Sequence, residues 1–342
     1  MSRQAGTSWD DLVIPMDTPN NFYRHDSGSE DEENVPNVKK MRMLTKIQEL
    51  IEAELQLERS KKREKELIQI QADPQNPDHF DQLLSSNPNS SFIWIKYMDC
   101  HVQAKDLEKA RATAKRALST IHAGEEQEKL NIWTKLLALE ELHGTKETFK
   151  QTMDDALRSC DEYQIYIKVL KMFAKSSKLK ELDELITEIN GKFSNSIDAY
   201  LQCATVYFKL NKSDKARFIF QKALSNLPAK SHITMISEFA LMENSDGSPE
   251  EAQTLFENVL TCHPSRTDIW CLYVDMMIES NKIDLARRIL ERATSQQLVP
   301  KKKRIMLIKW MTFEGKYRTH EAMMKYQEKM RMYDDLKDEN KK

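Results

Sequence analysis

The chain has 342 residues, with 52 Lys and Arg against 54 Asp and Glu for a formal charge of -2, a balance that argues against wholesale coating of nucleic acid but leaves local basic patches open. Only 7 glycines occur, isolated ones, which argues against the phosphate-cradling loops, nucleophile elbows and tight hairpins that need glycine at set backbone angles. The 8 histidines and 5 cysteines show neither H-E-x-x-H nor C-x-x-C spacing, so no metal ligand set, cofactor site or catalytic constellation is expected, and the chain reads as a non-enzyme.

Residues 1–38 read as a disordered acidic tail, with Pro15, Pro19, Pro36 and an acidic run from Asp26 to Glu33. Such a segment buries too little apolar surface to offset its ordering entropy. Ser27 and Ser29 each have a glutamate three positions on (Glu30 and Glu32), which makes them candidates for an acidophilic kinase, or the run is a plain spacer. An apolar island, Trp9 to Ile14, is either a short docking peptide or without a role. Residues 39–77 read as one long charged helix and linker. Leu44, Ile47, Ile51 and Leu55 fall at helical spacing, mixed charge follows, and Pro74 and Pro77 end it.

An internal repeat fills 78–335, followed by a charged tail at 336–342. From Trp94, with Tyr97 three residues on, Ala110 lies sixteen residues along and Ala117 seven further. Tyr200 is followed in the same register by Ala216 and Ala223, and Trp270 with Tyr273 by Ala286 and Ala293. Weaker copies start at Trp133, Tyr166, Ile236 (with Ala252) and Leu307 (with Trp310). A period of roughly 33 to 40 residues is that of helix-pair solenoids. Bulky rings on the first helix rest against small alanines on the second, and each pair buries its apolar face only by stacking on neighbours. These rings are therefore read as core, not as a cofactor box or base-stacking platform. The expected fold is all-α, a right-handed superhelical solenoid of HAT/TPR-like helix pairs. Ser90, Ser91 and the run Ser248-Pro249-Glu250-Glu251 supply helix starts, and Pro228, Pro264 and Pro300 stops. Most glycines are read as helix stops or turns.

An aromatic pair opening the first helix, Ala-Arg opening the core of the second, and glutamates at Glu140, Glu243 and Glu314 resemble the half-a-tetratricopeptide (HAT) repeat of RNA-processing proteins. Longer stretches sharpen the match: 78–98, 125–144 and 256–270 are similar to the C-terminal region of the large S1-repeat rRNA-biogenesis family, known as ribosomal RNA processing protein five or programmed cell death protein eleven. That family carries S1 RNA-binding β-barrels ahead of this region. The glycine-poor sequence has none, and it reads as a fragment, a separately encoded C-terminal half or a shortened relative. The resemblance implies a nucleolar scaffold that docks protein assembly factors of the early small-subunit pre-ribosome, in the pathway maturing 18S rRNA, with pre-rRNA or U3 RNA contacted indirectly.

The most basic run, Lys301, Lys302, Lys303 and Arg304, is a candidate phosphate contact or nuclear-import signal, or else a solvated helix start. The cysteines read as buried free thiols of a reducing compartment, and no apolar signal-peptide core or bilayer-length apolar run is present, so a soluble, intracellular protein without membrane or small-molecule partner is expected, and the resemblance implies the nucleus. The rival readings are a HAT scaffold of splicing or mRNA 3′-end processing, an ordinary tetratricopeptide adaptor, and a solenoid that binds RNA directly.

Overall fold

The computed structural model describes residues 77–317 together with 324, 327–329 and 331. The expectations for the acidic tail, for Ser27 and Ser29, for the long charged helix and for the C-terminal tail lie outside the described residues. The described residues form fourteen helices and no strand. They belong to two compact units, one up to Val169 and one from Leu170.

In the first unit α1 (Pro77–Ser86) is followed by the pairs α2 (Ser91–Gln103) with α3 (Leu107–Thr120) and α4 (Glu126–His143) with α5 (Lys146–Ser159). The division between units falls inside α6 (Glu162–Lys175). In the second unit α7 (Leu179–Lys192) precedes the pairs α8 (Ile197–Lys209) with α9 (Ser213–Asn226), α10 (Ala229–Asp246) with α11 (Pro249–Cys262), and α12 (Thr267–Glu279) with α13 (Ile283–Ser295), and α14 (Pro300–Lys316) closes the series. Within each unit helices pack with their sequence partner and with the corresponding helix of the next pair, as α8 on α10, α10 on α12 and α12 on α14. This is the stacked-pair arrangement of a HAT/TPR solenoid.

The alanines are what permit it. Ala110, Ala117, Ala216, Ala223, Ala252, Ala286 and Ala293 are all fully buried, and the rings Trp94, Tyr97, Tyr200, Trp270, Tyr273 and Trp310 are 6% exposed or less. The pairs come in two forms. The first helices α2, α8 and α12 have 13 residues, whereas α4 and α10 have 18 and α14 has 17. The longer ones gain a turn at their N-terminal end.

The turns differ accordingly. After α2, α6, α8 and α12 the chain reverses through one residue in the left-handed region: Lys105, Ser177, Asn211 and Asn281, with φ of 55–60°. Each is followed by an amide that bonds back five residues, such as Lys282 N to Met277 O at 2.8 Å, which satisfies a last-turn carbonyl. Among the described residues no glycine has a positive φ. This corrects the reading of glycine as the helix stop by backbone freedom. Gly144 and Gly247 do follow α4 and α10, but Gly144 is extended and Gly247 has φ of -125° and ψ of -124°. Gly191 and Gly315 lie in the last turns of α7 and α14. Starts are capped by Asp106, Thr145, Ser196 and Ser248, the last accepting from Glu251 N at 3.4 Å with Pro249 in the first turn. Ser90 occupies the cap position of α2 without a side-chain cap bond.

Trp133 packs against the core as expected but at its edge. It is half-buried, its indole N–H has no hydrogen-bond partner, and Ile132, Leu136 and Leu139 take the core face of α4. The reason is upstream. Trp94 and Trp270 donate to the carbonyls of Pro88 and Pro264, six residues before them, both at 2.9 Å. The extra turn of α4 puts helix where that loop carbonyl would be. Trp310, on the similarly long α14, bonds Glu314 Oε1 at 3.1 Å instead. The thiols also correct expectation in part: Cys203 and Cys271 are buried, Cys100 and Cys160 half-buried, and Cys262 exposed.

Candidate interaction surface

Within each unit, successive helix pairs are held together by buried ion pairs. Arg111, directly after Ala110, donates from Nε to Glu140 Oε1 at 2.7 Å and from Nη2 to Oε2 at 3.1 Å. Arg217, after Ala216, reaches Glu243 at 2.6 Å, and Arg287, after Ala286, reaches Glu314 at 2.9 Å. The three glutamate side chains are 3%, 0% and 0% exposed. Thus the glutamates that close the sequence motif are not solvated; each pins the long first helix of one pair to the second helix of the pair before. The hydrogen bond from Arg111 holds the Glu140 carboxyl below the usual carboxylate range, against the opposing effect of burial and with help from Thr148. The same bond pushes the Arg111 guanidinium up.

Glycine is required beside Glu140 and Glu243 by space. A Cβ on Gly247 would lie 2.6 Å from Glu243 Oε1 and 2.9 Å from the Phe208 ring, and one on Gly144 would overlap the Glu140 carboxylate and backbone carbonyl.

A second device closes α1 on α2–α3 and α11 on α12–α13. Phe80 stacks on Tyr97 and Phe256 on Tyr273, with centroids 4.8 and 5.2 Å apart. Arg116 lies over the Trp94 ring and pairs with Asp81; Arg292 lies over Trp270 and pairs with Glu257. The register makes α1 a counterpart of the second helix α11, so the repeat pattern is already under way before Asn87.

The corresponding junction between α7 and α8–α9 is open. A groove of about 340 Å³ is lined there by Asp183, Ile186, Thr187, Asn190, Tyr207, Asp214, Lys215, Phe218, Ile219 and Lys222. Asp183 accepts from Tyr207 Oη and from Lys215 Nζ, both at 2.6 Å. Burial works to raise the Asp183 carboxyl, yet the two donors hold it below its ordinary value; burial and the carboxylate together push the Tyr207 hydroxyl up. No spacing argument from one repeat alone could have found this groove, because it arises from what its residues lack relative to the other junctions.

Of the basic run, Lys301 is exposed while Lys302, Lys303 and Arg304 are half-buried in the first turn of α14. Cations there oppose the helix dipole, an effect of about 0.3–1 kcal/mol each. Among the described residues no group of three or more His, Cys, Asp or Glu could hold a metal ion, and no helix is long and apolar enough to cross a membrane.

The residue pattern and the packing agree with sequence relatives. The family described as pre-mRNA-splicing factor Syf1/CRNKL1 C-terminal HAT repeat matches residues 192–322. The chain is 34% identical to the mouse protein RRP5 homolog over 81% of its own length, 35% identical to the Drosophila melanogaster rRNA biogenesis protein RRP5 over 95%, and 38% identical to the Arabidopsis thaliana RRP5 over 70%. The chain carries a HAT-repeat region of the RRP5 family. It spans only 15%, 22% and 13% of the length of those three RRP5 proteins. The splicing-factor match and the RRP5 match share the repeat itself, and the RRP5 likeness extends over more of the chain.

Proposed function

We propose that this chain is a non-catalytic scaffold in ribosome biogenesis, acting in pre-rRNA processing on the small-subunit, 18S pathway. It docks protein assembly factors on its helical-repeat surface, in the nucleolus, with pre-rRNA and U3 RNA reached through those proteins. The observation that carries this reading is the 34–38% identity to RRP5 proteins over 70–95% of the chain. A scaffold reading is supported by the repeated arginines and glutamates, which are used in holding helices together. Affinity capture of the tagged chain tests it. Small-subunit assembly proteins and U3 RNA are expected in the eluate, and depletion should enrich unprocessed 18S precursors. Recovery of spliceosomal proteins instead would favour the second reading, a HAT scaffold of splicing, which the match over residues 192–322 supports.

A further inference from the structure

The groove at α7, α8 and α9 stands in the register of the α1 and α11 junctions, both of which are closed. At the α1 junction the closing residues are Phe80, Asp81, Leu84, Tyr97 and Arg116; at the α11 junction they are Phe256, Glu257, Leu260, Tyr273 and Arg292. In the same register the groove has Ile186, Thr187, Asn190, Cys203 and Lys222. Every replacement removes part of the closure. The stacked ring pair becomes Ile and Cys. The carboxylate becomes a threonine hydroxyl, which is turned back to the Asp183 carbonyl at 2.8 Å. The cation survives as half-buried Lys222 with no ion-pair partner among the described residues. The buried leucine becomes Asn190, 1% exposed, both of whose side-chain polar atoms lack a partner. Leaving a buried amide unsatisfied costs about 1–3 kcal/mol, which folding alone does not explain, since leucine serves the other two junctions. At the rim Phe218 is 64% exposed, where the matching positions are Ala112 and Arg288.

The geometry points to a docking site for a protein segment that supplies in trans what Phe80-Asp81 and Phe256-Glu257 supply in cis: a bulky aromatic side chain directly beside a carboxylate. The ring fills the space over Ile186 and against Phe218, the carboxylate pairs with Lys222, and the segment's backbone meets the Asn190 amide. Lys215 is already paired with Asp183, which leaves the single cation Lys222 to match one carboxylate, whereas a phosphate backbone would run several charges past Asp183 and Asp214; the chemistry selects a peptide with one acid beside its ring over RNA. This deepens the scaffold reading, on which it rests, by naming the chemistry of one partner.

Fluorescently labelled, Gly-Ser-flanked peptides bearing Phe-Asp, Phe-Lys or Ala-Asp, titrated into the full chain and followed by anisotropy, test it. Phe-Asp should bind at least about tenfold more tightly than either control, a difference of about 1.4 kcal/mol. Lys222→Glu should reverse the preference to Phe-Lys. Thr187→Glu should restore the internal pair, raising Tm while abolishing Phe-Asp binding. Equal binding of the three peptides, an unchanged preference in Lys222→Glu, or tight binding of a uridine oligonucleotide in place of Phe-Asp would overturn the proposal. Capture separates its failure from that of the scaffold reading. Assembly proteins recovered equally by wild type and Thr187→Glu defeat the groove alone, whereas selective Phe-Asp binding without any assembly protein in the eluate defeats the scaffold.

Discussion

Single residues here take their roles from what lies beside them. Gly247 and Gly191 illustrate this: neither has a positive φ, yet a Cβ on Gly247 meets the Glu243 carboxylate and the Phe208 ring, while one on Gly191 meets nothing within 4 Å. Gly247→Ala should therefore destabilise the chain by about 1–3 kcal/mol, the usual range for overpacking, and Gly191→Ala should be neutral or stabilising by up to about 1 kcal/mol through helix propensity and reduced unfolded-state entropy. Urea titrations of the two variants check the contrast. Equal losses would show that position in the helix, and not the adjacent carboxylate, sets the requirement. Trp133 teaches the same lesson, since an anchor with the right spacing sits half-buried once the loop carbonyl that holds Trp94 and Trp270 is absent.

Between elements, the chain uses two kinds of fastening, and they alternate. Arginine–glutamate pairs bind α3 to α4, α9 to α10 and α13 to α14, whereas ring stacks and surface ion pairs close α1 on α2 and α11 on α12. At the register of the buried pair, the α11 junction has Gln253 with Met277, so packing does not demand ions at that position. Removing one partner alone is a different matter, because it leaves a charge uncompensated. Arg217→Met should cost about 3–5 kcal/mol, because it leaves the Glu243 carboxylate, 0% exposed, buried without its cation. The double variant Arg217→Met with Glu243→Leu should recover most of that loss. A double-mutant cycle read by thermal unfolding measures the coupling, and additive losses would rule out the pair as the fastening.

At the scale of the whole molecule, stability should fall as the solution becomes acidic, in two stages. Burial lowers the His101 pKa, partly offset by Asp106 and aided by Lys109 and Arg116, and burial with Arg266 lowers that of His263. The unfolded chain then takes up protons first as pH drops through about 6.5, so the histidine contribution is present above that value and lost below it. Glu140 and Asp183 have depressed values, so their contribution persists above the unfolded carboxylate range near 4 and disappears as pH falls through their folded values. Tm at pH 7.5 should exceed that at pH 5.5, and His101→Leu should shrink the difference; a Tm independent of pH across that interval would contradict the buried neutral state. The sequence by itself determined the helical pairs, their alanine seams and the kinship to RRP5, because ring-to-alanine spacing is set by the fixed pitch of the helix and is visible along one strand of text. Only the tertiary structure decided that Glu140, Glu243 and Glu314 are buried partners of arginine, that non-glycine residues carry the left-handed turns, and that the α7 junction stands open. Those outcomes depend on which side chains, tens of residues apart, meet across stacked helices, and a missing contact leaves no mark in a local pattern.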